Sequence, residues 1–332
     1  MDLELLDAAL AAHGEPRYRA RQVWEWAAAG ASSYDEMTNL PRELREALGR
    51  DVPLSSLRLE RDARGADGTE KALFRTRDGR PLEAVLMRYR SPPKAVGRRS
   101  LCLSSQSGCP LTCTFCATGQ MSFGRNLTAS EIIDQALHFR RKGRVDHAVF
   151  MGMGEPLLNL DAVLAACERL PDLGISMAHT AISTVGWVPG IERLAREGPP
   201  VRLALSLHAA DEALRSELMP VNERYPLRDV LAACRRWHEA RRRPVFVEYL
   251  MLEGVNDRYE QALAVARLLE PRSAFKVNLI PYNPTDAPFR GSSRQAIATF
   301  RDVLEGRGLL TTVRLTRGRD IDAACGQLAA KA

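Results

Sequence analysis

From residue 100 to residue 306 the chain alternates short β-like runs with longer amphipathic stretches, and this alternation limits the possible folds more than any other feature. The β-like runs are Leu101–Ser105, His147–Gly152, His179–Thr184, Arg202–Leu207, Val245–Met251 and Phe275–Ile280. Stretches of helical period follow each, around 129–142, 160–170, 188–197, 226–241, 257–269 and 292–306. Strands linked through helices pair in parallel, so the pattern predicts an α/β fold with a parallel sheet. Six such units are fewer than the eight that close a full barrel. Periodicity alone leaves an open barrel and a doubly wound sheet both standing.

In either architecture chemistry collects at the C-terminal ends of the strands. Gly152-Met-Gly-Glu-Pro156 follows the second run; its glycines let backbone approach a ligand, and Glu155 is an acceptor suited to an ammonium group. Ser183-Thr-Val-Gly186 follows the third run, Ser206-Leu207-His208 ends the fourth, and Tyr282-Asn283 follows the sixth. Singly, each such residue reads as a local cap or turn bond. As a set they can bracket a ribose, a carboxylate and an adenine edge.

Between the first run and its helix lie Cys109, Cys113 and Cys116, spaced C-x-x-x-C-x-x-C. Thiolates this close can serve one metal centre. A closed zinc site wants four protein ligands, and so does a fully protein-ligated [4Fe–4S] cluster. Three fit a [4Fe–4S] cluster with one iron open, and an open metal position can bind a substrate. On spacing alone a zinc knuckle is the alternative. The spacing, with Phe115 just before the third cysteine, resembles the radical S-adenosylmethionine (SAM) superfamily. That resemblance implies that the open iron chelates SAM and that Gly154 and Glu155 hold its amino group. It also selects a partial (β/α)6 barrel, open on one side for a large substrate.

Upstream, residues 1 to about 50 read as helices, with apolar stripes at Leu3, Leu5, Leu6, Ala9 and Leu10 and at Val23, Trp24, Trp26 and Ala27. Thr38-Asn-Leu-Pro41 is a helix-start signal. Arg17, Arg19 and Arg21 fit an RNA-facing surface and a merely solvated face equally well. Lys71–Arg77 and Pro81–Met87 flank Asp78-Gly79, a hairpin signal. Glu83 lies on the second of these strands, readable as an exposed carboxylate or a functional one. Residues 88–99 carry Arg88, Arg90, Lys94, Arg98 and Arg99 and read as a basic loop able to meet phosphate.

A 45% apolar fraction is that of a globular protein, and no run of 18 apolar residues could span a membrane. The acidic N-terminus lacks the features of a signal peptide. Seven cysteines, three of them clustered, suit a reducing cytoplasm better than a disulfide scaffold. These points predict a cytoplasmic protein with no membrane partner. Net charge is +6, which permits a polyanionic partner without requiring one.

A lone late cysteine, Cys325, stands in Asp320-Ile-Asp-Ala-Ala-Cys-Gly-Gln-Leu328. Its surroundings closely resemble the RlmN family, bacterial radical SAM enzymes that methylate adenosine carbon 2 in 23S rRNA. The resemblance covers nearly the whole chain. It takes in Arg17–Gln22, Met37–Pro41, Ser104–Cys109, Phe115–Gly119, Phe150–Pro156, Leu205–His208, Met219–Asn222, Gly254–Asp257 and Asn278–Pro284.

The resemblance implies that Cys325 takes a methyl group from one SAM while a second SAM on the cluster yields a 5′-deoxyadenosyl radical. The cluster ligands would be Cys109, Cys113 and Cys116. The SAM contacts would be Gly154, Glu155, Ser183, Ser206, Leu207, His208 and Asn283. Cys102 would release the RNA through a transient disulfide, and Glu83 would accept a proton. Implied partners are 23S rRNA, tRNA and an electron donor such as flavodoxin or ferredoxin. Cys167 and Cys234 match no motif and read as core. The expected organisation is a small N-terminal helical accessory domain over residues 1–55, a β-hairpin extension with a basic loop over 56–100, the barrel over 101–316, and a carrier loop over 317–332.

Three alternatives accompany this reading. One is the sister enzyme that methylates carbon 8 of the same adenosine, although the Gly-Glu-Pro-Leu-Leu-Asn159 loop and Arg317-Gly318 look more like the carbon 2 enzymes. The second is a metal-stabilised RNA-binding protein without catalysis, and the third is a radical SAM enzyme for a small molecule.

Overall fold

The computed structural model describes residues 1–89 and 97–330. Three helices lead, α1 (Leu3–Ala12), α2 (Tyr18–Ala29) and α3 (Arg42–Asp51). Their apolar stripes turn inward, burying Leu6 and Leu10 on α1, Val23, Trp24 and Ala27 on α2, and Leu44 and Leu48 on α3. This helical face belongs to the same hydrophobic core as the sheet. Trp24 also donates its indole N–H to Asp172 at 2.7 Å.

Strands β1 (Arg58–Arg64), β2 (Glu70–Arg75) and β3 (Pro81–Arg88) follow as an antiparallel unit. The turn between β2 and β3 is where the Asp78-Gly79 signal put it, with Gly79 at φ +80°. The unit has three strands rather than the two of the expected hairpin. β1 escapes a sequence reading because it is almost wholly exposed and strongly charged, so no alternating pattern marks it. It forms because β2 offers it an edge, and its charges guard the new edge.

β3 pairs antiparallel with β4 (Arg99–Cys102). Residues 88–99 are therefore not a free basic loop throughout. Arg88 pairs with Arg99 across the ladder, and Tyr89 donates its N–H to the Arg98 carbonyl at 2.8 Å. Arg88 is also held in an ion pair with Glu70, which removes it from the phosphate-facing set. Arg98 is exposed and lies 4.1 Å over the Tyr89 ring. Arg90 and Lys94 lie outside the described residues. Among the accessory arginines, Arg19 bonds Glu15 and Gln22, and Arg21 pairs with Glu25.

Downstream come a two-stranded ribbon, β5 (Gln106–Ser107) with β6 (Arg125–Asn126), and α4 (Ala129–Arg141). A capping box starts α4, the Thr128 side chain accepting from Glu131 N at 3.1 Å while Glu131 accepts from Thr128 N at 2.9 Å. Then follow β7 (His147–Phe150), α5 (Leu160–Arg169), β8 (Thr180–Thr184), α6 (Val188–Glu197), β9 (Arg202–Ser206), α7 (Glu212–Leu218) and α8 (Leu227–Arg241). β10 (Val245–Met251), α9 (Tyr259–Leu268), β11 (Phe275–Pro281), α10 (Arg294–Glu305) and β12 (Thr311–Val313) complete the order. Each of the six expected strands and helices is present.

The ten-stranded sheet runs β1-β2-β3-β4-β7-β8-β9-β10-β11-β12, parallel from β4 onward. It curls so that Met87 on β3 and Thr312 on β12 line one cavity, while its two edge strands, β1 and β12, stay unpaired with each other. This is the α/β partial barrel, with a seventh parallel strand that sequence reading missed. β12 is three residues long and buries only Thr311, so it carries no apolar run. Cys167 and Cys234 are fully buried in the core. Among the described residues no helix is long and apolar enough to cross a membrane.

Candidate active site

The loop after β5 carries the three clustered cysteines. Gly108 enters it at φ +74°, where an added Cβ would lie 2.4 Å from the Ser122 carbonyl oxygen. The thiols sit in low-polarity surroundings. Burial pushes Cys109 up to about 12, and burial followed by the neighbouring thiols pushes Cys113 up. Burial also raises Cys116. Three such thiols ionise together only beside compensating positive charge, which metal supplies. Among the described residues no three of these side chains converge on a single-ion position. A cluster of four irons asks for no such convergence, because each iron takes one thiolate.

Glu155 opens the turn after β7. It is buried, and burial pushes it up to about 7. Its oxygens accept N–H groups from Leu157 at 3.1 Å and Val185 at 3.0 Å, so the carboxylate also ties this loop to the one after β8. Gly154 precedes it at φ +96°, and a Cβ there would lie 2.5 Å from the Gln106 side chain. The backbone packs at that point as tightly as only glycine allows.

Inside the barrel mouth a cavity of about 120 Å³ is lined by Cys116, Ser183, Ser206, His208, Arg314 and Cys325, among others. His208, at φ +57°, is pushed down to about 3 by burial and then by Arg215, so its ring is neutral. Its Nδ1 accepts the Leu250 N–H at 3.0 Å, which leaves the ring proton on Nε2 as a donor. Leu207 is fully buried in the core, so only its backbone faces the strand ends; its carbonyl accepts from Arg215 Nε at 3.1 Å.

A narrower space of about 70 Å³ adjoins, lined by Cys102, Cys116, Asn283, Arg314 and Cys325. It brings the two solitary cysteines together, although they stand more than two hundred residues apart in sequence. All seven cysteines are free thiols. Burial first, and then Cys325, pushes Cys102 up to about 12.

Cys325 is held by its own tail. Asn283 donates to the Cys325 carbonyl at 3.2 Å, Ala117 N–H to the Gly326 carbonyl at 2.8 Å, and Gln327 to the Pro284 carbonyl at 2.9 Å. Ala329 and Ala330 both donate N–H groups to Glu83 Oε2 at 3.0 Å. Glu83 is thus neither an exposed strand carboxylate nor one that lines the two small cavities. It is buried at the far end of the tail, 2.9 Å from Lys71 Nζ.

Sequence reading missed several residues that shape this site. Arg314 follows β12, faces both small cavities, and lies 3.7 Å from buried Glu248. The nearness of Cys325 is the largest influence holding its guanidinium positive. Arg215 on α7 is fully buried and donates to the Val185 carbonyl at 2.6 Å and the Ser206 carbonyl at 3.2 Å, bracing the loops that carry the serines. Its partner Asn222 lies in the Met219-Pro-Val-Asn222 motif, the one available signal for it. Lys71 looked like any strand lysine.

The model of the radical SAM superfamily matches residues 103–266, and that of the ribosomal RNA large subunit methyltransferase N-terminal domain matches residues 1–52. A probable dual-specificity RNA methyltransferase RlmN of Chloroflexus aurantiacus is 45% identical, over 99% of this chain and 92% of its own length. The dual-specificity RNA methyltransferase RlmN of Syntrophobacter fumaroxidans is 44% identical, over 96% of this chain and 93% of its own. This chain belongs to the RlmN family of radical SAM methyltransferases.

The crystal structure of a radical SAM methyltransferase from Sphaerobacter thermophilus superposes on this RlmN-family fold with a TM-score of 0.91 at 45% identity, covering 100% of this chain and 98% of that one. Membership brings a [4Fe–4S] cluster and SAM as cofactors. The donor set fits: three thiols, Cys113 buried and Cys109 and Cys116 half-buried, beside a loop whose glycines admit close backbone approach.

Proposed function

We propose that this RlmN-family chain methylates carbon 2 of an adenosine in 23S rRNA, and of an adenosine in tRNA, through a methyl group carried on Cys325. The observation that carries this reading is the small cavity that Cys102 and Cys325 share beside Cys116. A methyl carrier next to a cluster ligand, with a second thiol against it, is the arrangement that the two-cysteine chemistry needs. Relatives named as dual-specificity RNA methyltransferases support the RNA substrate.

Cys109, Cys113 and Cys116 would hold the cluster, and cluster and SAM together would supply a 5′-deoxyadenosyl radical, able to take hydrogen from an S-methyl group. Gly154, Glu155, Ser183, Ser206, His208 and Asn283, with the backbone of Leu207, bind SAM along the strand ends. The neutral His208 ring offers Nε2–H as a donor to it. Adenine carbon 2 is electron-poor, so simple alkylation fails there and a carbon-centred radical on the Cys325 sulfur is the competent reagent. The bond it forms leaves RNA joined to Cys325 as a thioether. Glu83 accepts the carbon 2 proton, and the electron left over on the adduct would return to the cluster oxidised in SAM cleavage, which restores the aromatic base. The Cys102 thiolate then attacks the Cys325 sulfur, the carbon–sulfur bond breaks with its electron pair on the exocyclic carbon, which takes up a proton to become the methyl group, and a disulfide remains to be reduced. A flavodoxin or ferredoxin supplies the electron for SAM cleavage.

Mass spectrometry of adenosines tests the assignment. Hypomethylated rRNA and tRNA incubated with the reconstituted protein, SAM and reductant should gain 2-methyladenosine in both. 8-Methyladenosine would assign the carbon 8 reaction instead, and no methylated adenosine in either RNA would overturn the reading.

A further inference from the structure

Glu83 poses a physical problem. It is fully buried, and a buried charge needs a partner to hold it in place. Its surroundings resolve this. On the shared face of β2 and β3, Glu83 stands opposite Leu73, and Lys71 is the diagonal neighbour two residues along. The Lys71 side chain is itself mostly buried, with 11% exposure, and its Nζ lies 2.9 Å from Glu83 Oε1. Nζ also donates to the Asp322 carbonyl at 3.2 Å, which fixes the ammonium to the tail that carries Cys325.

The two carboxylate oxygens are not equivalent. Oε2 accepts the two N–H groups of Ala329 and Ala330. Oε1 accepts no hydrogen bond among the described residues and meets the ammonium as an ion pair. Oε1 is therefore the oxygen with lone pairs left for an incoming proton. Both Glu83 and Lys71 line a cavity of about 430 Å³, within the range of small-ligand sites. The other charged groups around it are Arg61 on β1, Asp286 after β11 and Asp322 in the tail.

We propose that Lys71 is a positioning residue that pairs with Glu83 and presents Oε1 to the carbon 2 proton of the RNA adduct. This rests on the reading of Glu83 as the proton acceptor. Only a proton moves in the step. It leaves carbon 2 for Oε1, the electron pair of the broken C–H bond stays on the ring, and Lys71 forms and breaks no covalent bond.

The test uses the full-length reconstituted enzyme with three variants, Lys71→Met, Lys71→Arg and Glu83→Gln. Lys71→Met should still carry S-methyl Cys325 by peptide mass spectrometry. It should lose turnover by about 10²–10⁴-fold, the worth of a positioned base, and accumulate a denaturant-resistant RNA adduct. Lys71→Arg, which keeps the charge, should recover most of the turnover; if the Met variant does not fold, Lys71→Gln carries the same comparison with Arg. Wild-type turnover in the uncharged variants, or an equal loss in the Arg variant, overturns the role of Lys71. Glu83→Gln separates the two readings. If it releases product normally, the acceptor assignment itself is wrong; if it traps adduct while the uncharged Lys71 variants do not, only the Lys71 inference fails.

Discussion

The parallel strands and the antiparallel extension differ in what holds them. β10 exposes none of its seven residues beyond an intermediate level, and its neighbours are similarly apolar. β1 buries none of its seven residues fully. β2 and β3 bury Phe74, Leu82, Val85 and Leu86 in the common core, so it is β1 and the β2–β3 turn that are tied down by charge: Arg75 to Glu60 at 2.6 Å, Lys142 to Asp62 at 2.7 Å, and Arg125 to Asp78 at 2.6 Å. The tail follows the same rule, with Asp320 accepting the Ala66 N–H at 2.8 Å and Asp67 accepting the Gly318 N–H at 3.0 Å. Apolar packing is stiff, whereas polar contacts near a surface exchange readily with water. The cofactor side of the site therefore stands on the rigid part of the molecule. Cys325 stands on the tail, which meets the turn after β1 through such polar contacts.

Three variants put that contrast under strain. The largest effect belongs to the barrel mouth. Cys113→Ala should abolish SAM cleavage, because one iron loses its thiolate, while the circular dichroism spectrum stays that of a folded α/β protein. 5′-Deoxyadenosine formed at the wild-type rate by the reconstituted variant would remove Cys113 from the cluster.

Next comes the seam between the two regions. Cys102→Ala should leave methyl transfer to Cys325 and SAM cleavage intact and block only release. Protein from cells should then carry RNA that withstands denaturant and yields to ribonuclease, and the double variant Cys102→Ala/Cys325→Ala should carry none. A cysteine that merely fills space predicts a stability loss of about 1–3 kcal/mol and no adduct. A denaturing gel without the adduct, together with normal turnover, would show that Cys102 does not resolve the thioether.

The smallest effect tests the ionic ties of the extension. Hydrogen bonds from Arg125 first, and then from Thr76, hold Asp78 well below the usual carboxylate range. A group with a depressed folded-state value stabilises the fold above its unfolded value of about 3.9 and loses that contribution as pH falls through the folded value. Asp78→Asn should thus lower stability at neutral pH by no more than about 1 kcal/mol, since the pair is half exposed. The gap from wild type should shrink toward zero in strong acid. Denaturant unfolding at neutral and acid pH measures it; a gap that persists in acid would assign the effect to something other than charge.

The alternating runs from Leu101 to Ile280 were readable because each strand had to bury apolar side chains in the core, and that need leaves a signature in the chain. The clustered cysteines were readable for a similar reason, since three ligands to one centre can sit within a single loop. β1 and β12 were not, because their pairing satisfies backbone groups without asking for apolar side chains. The same holds for Lys71, Arg314 and Arg215, polar residues whose roles depend entirely on what lies across from them. The sequence by itself determined the parallel α/β core, the cysteine triad and, through its motifs, the family. Only the tertiary structure decided that Cys102 and Cys325 share a cavity, that Glu83 is buried rather than exposed, and that Lys71 faces it. Those contacts join residues far apart in the chain, and no local periodicity records a contact that chain folding alone brings about.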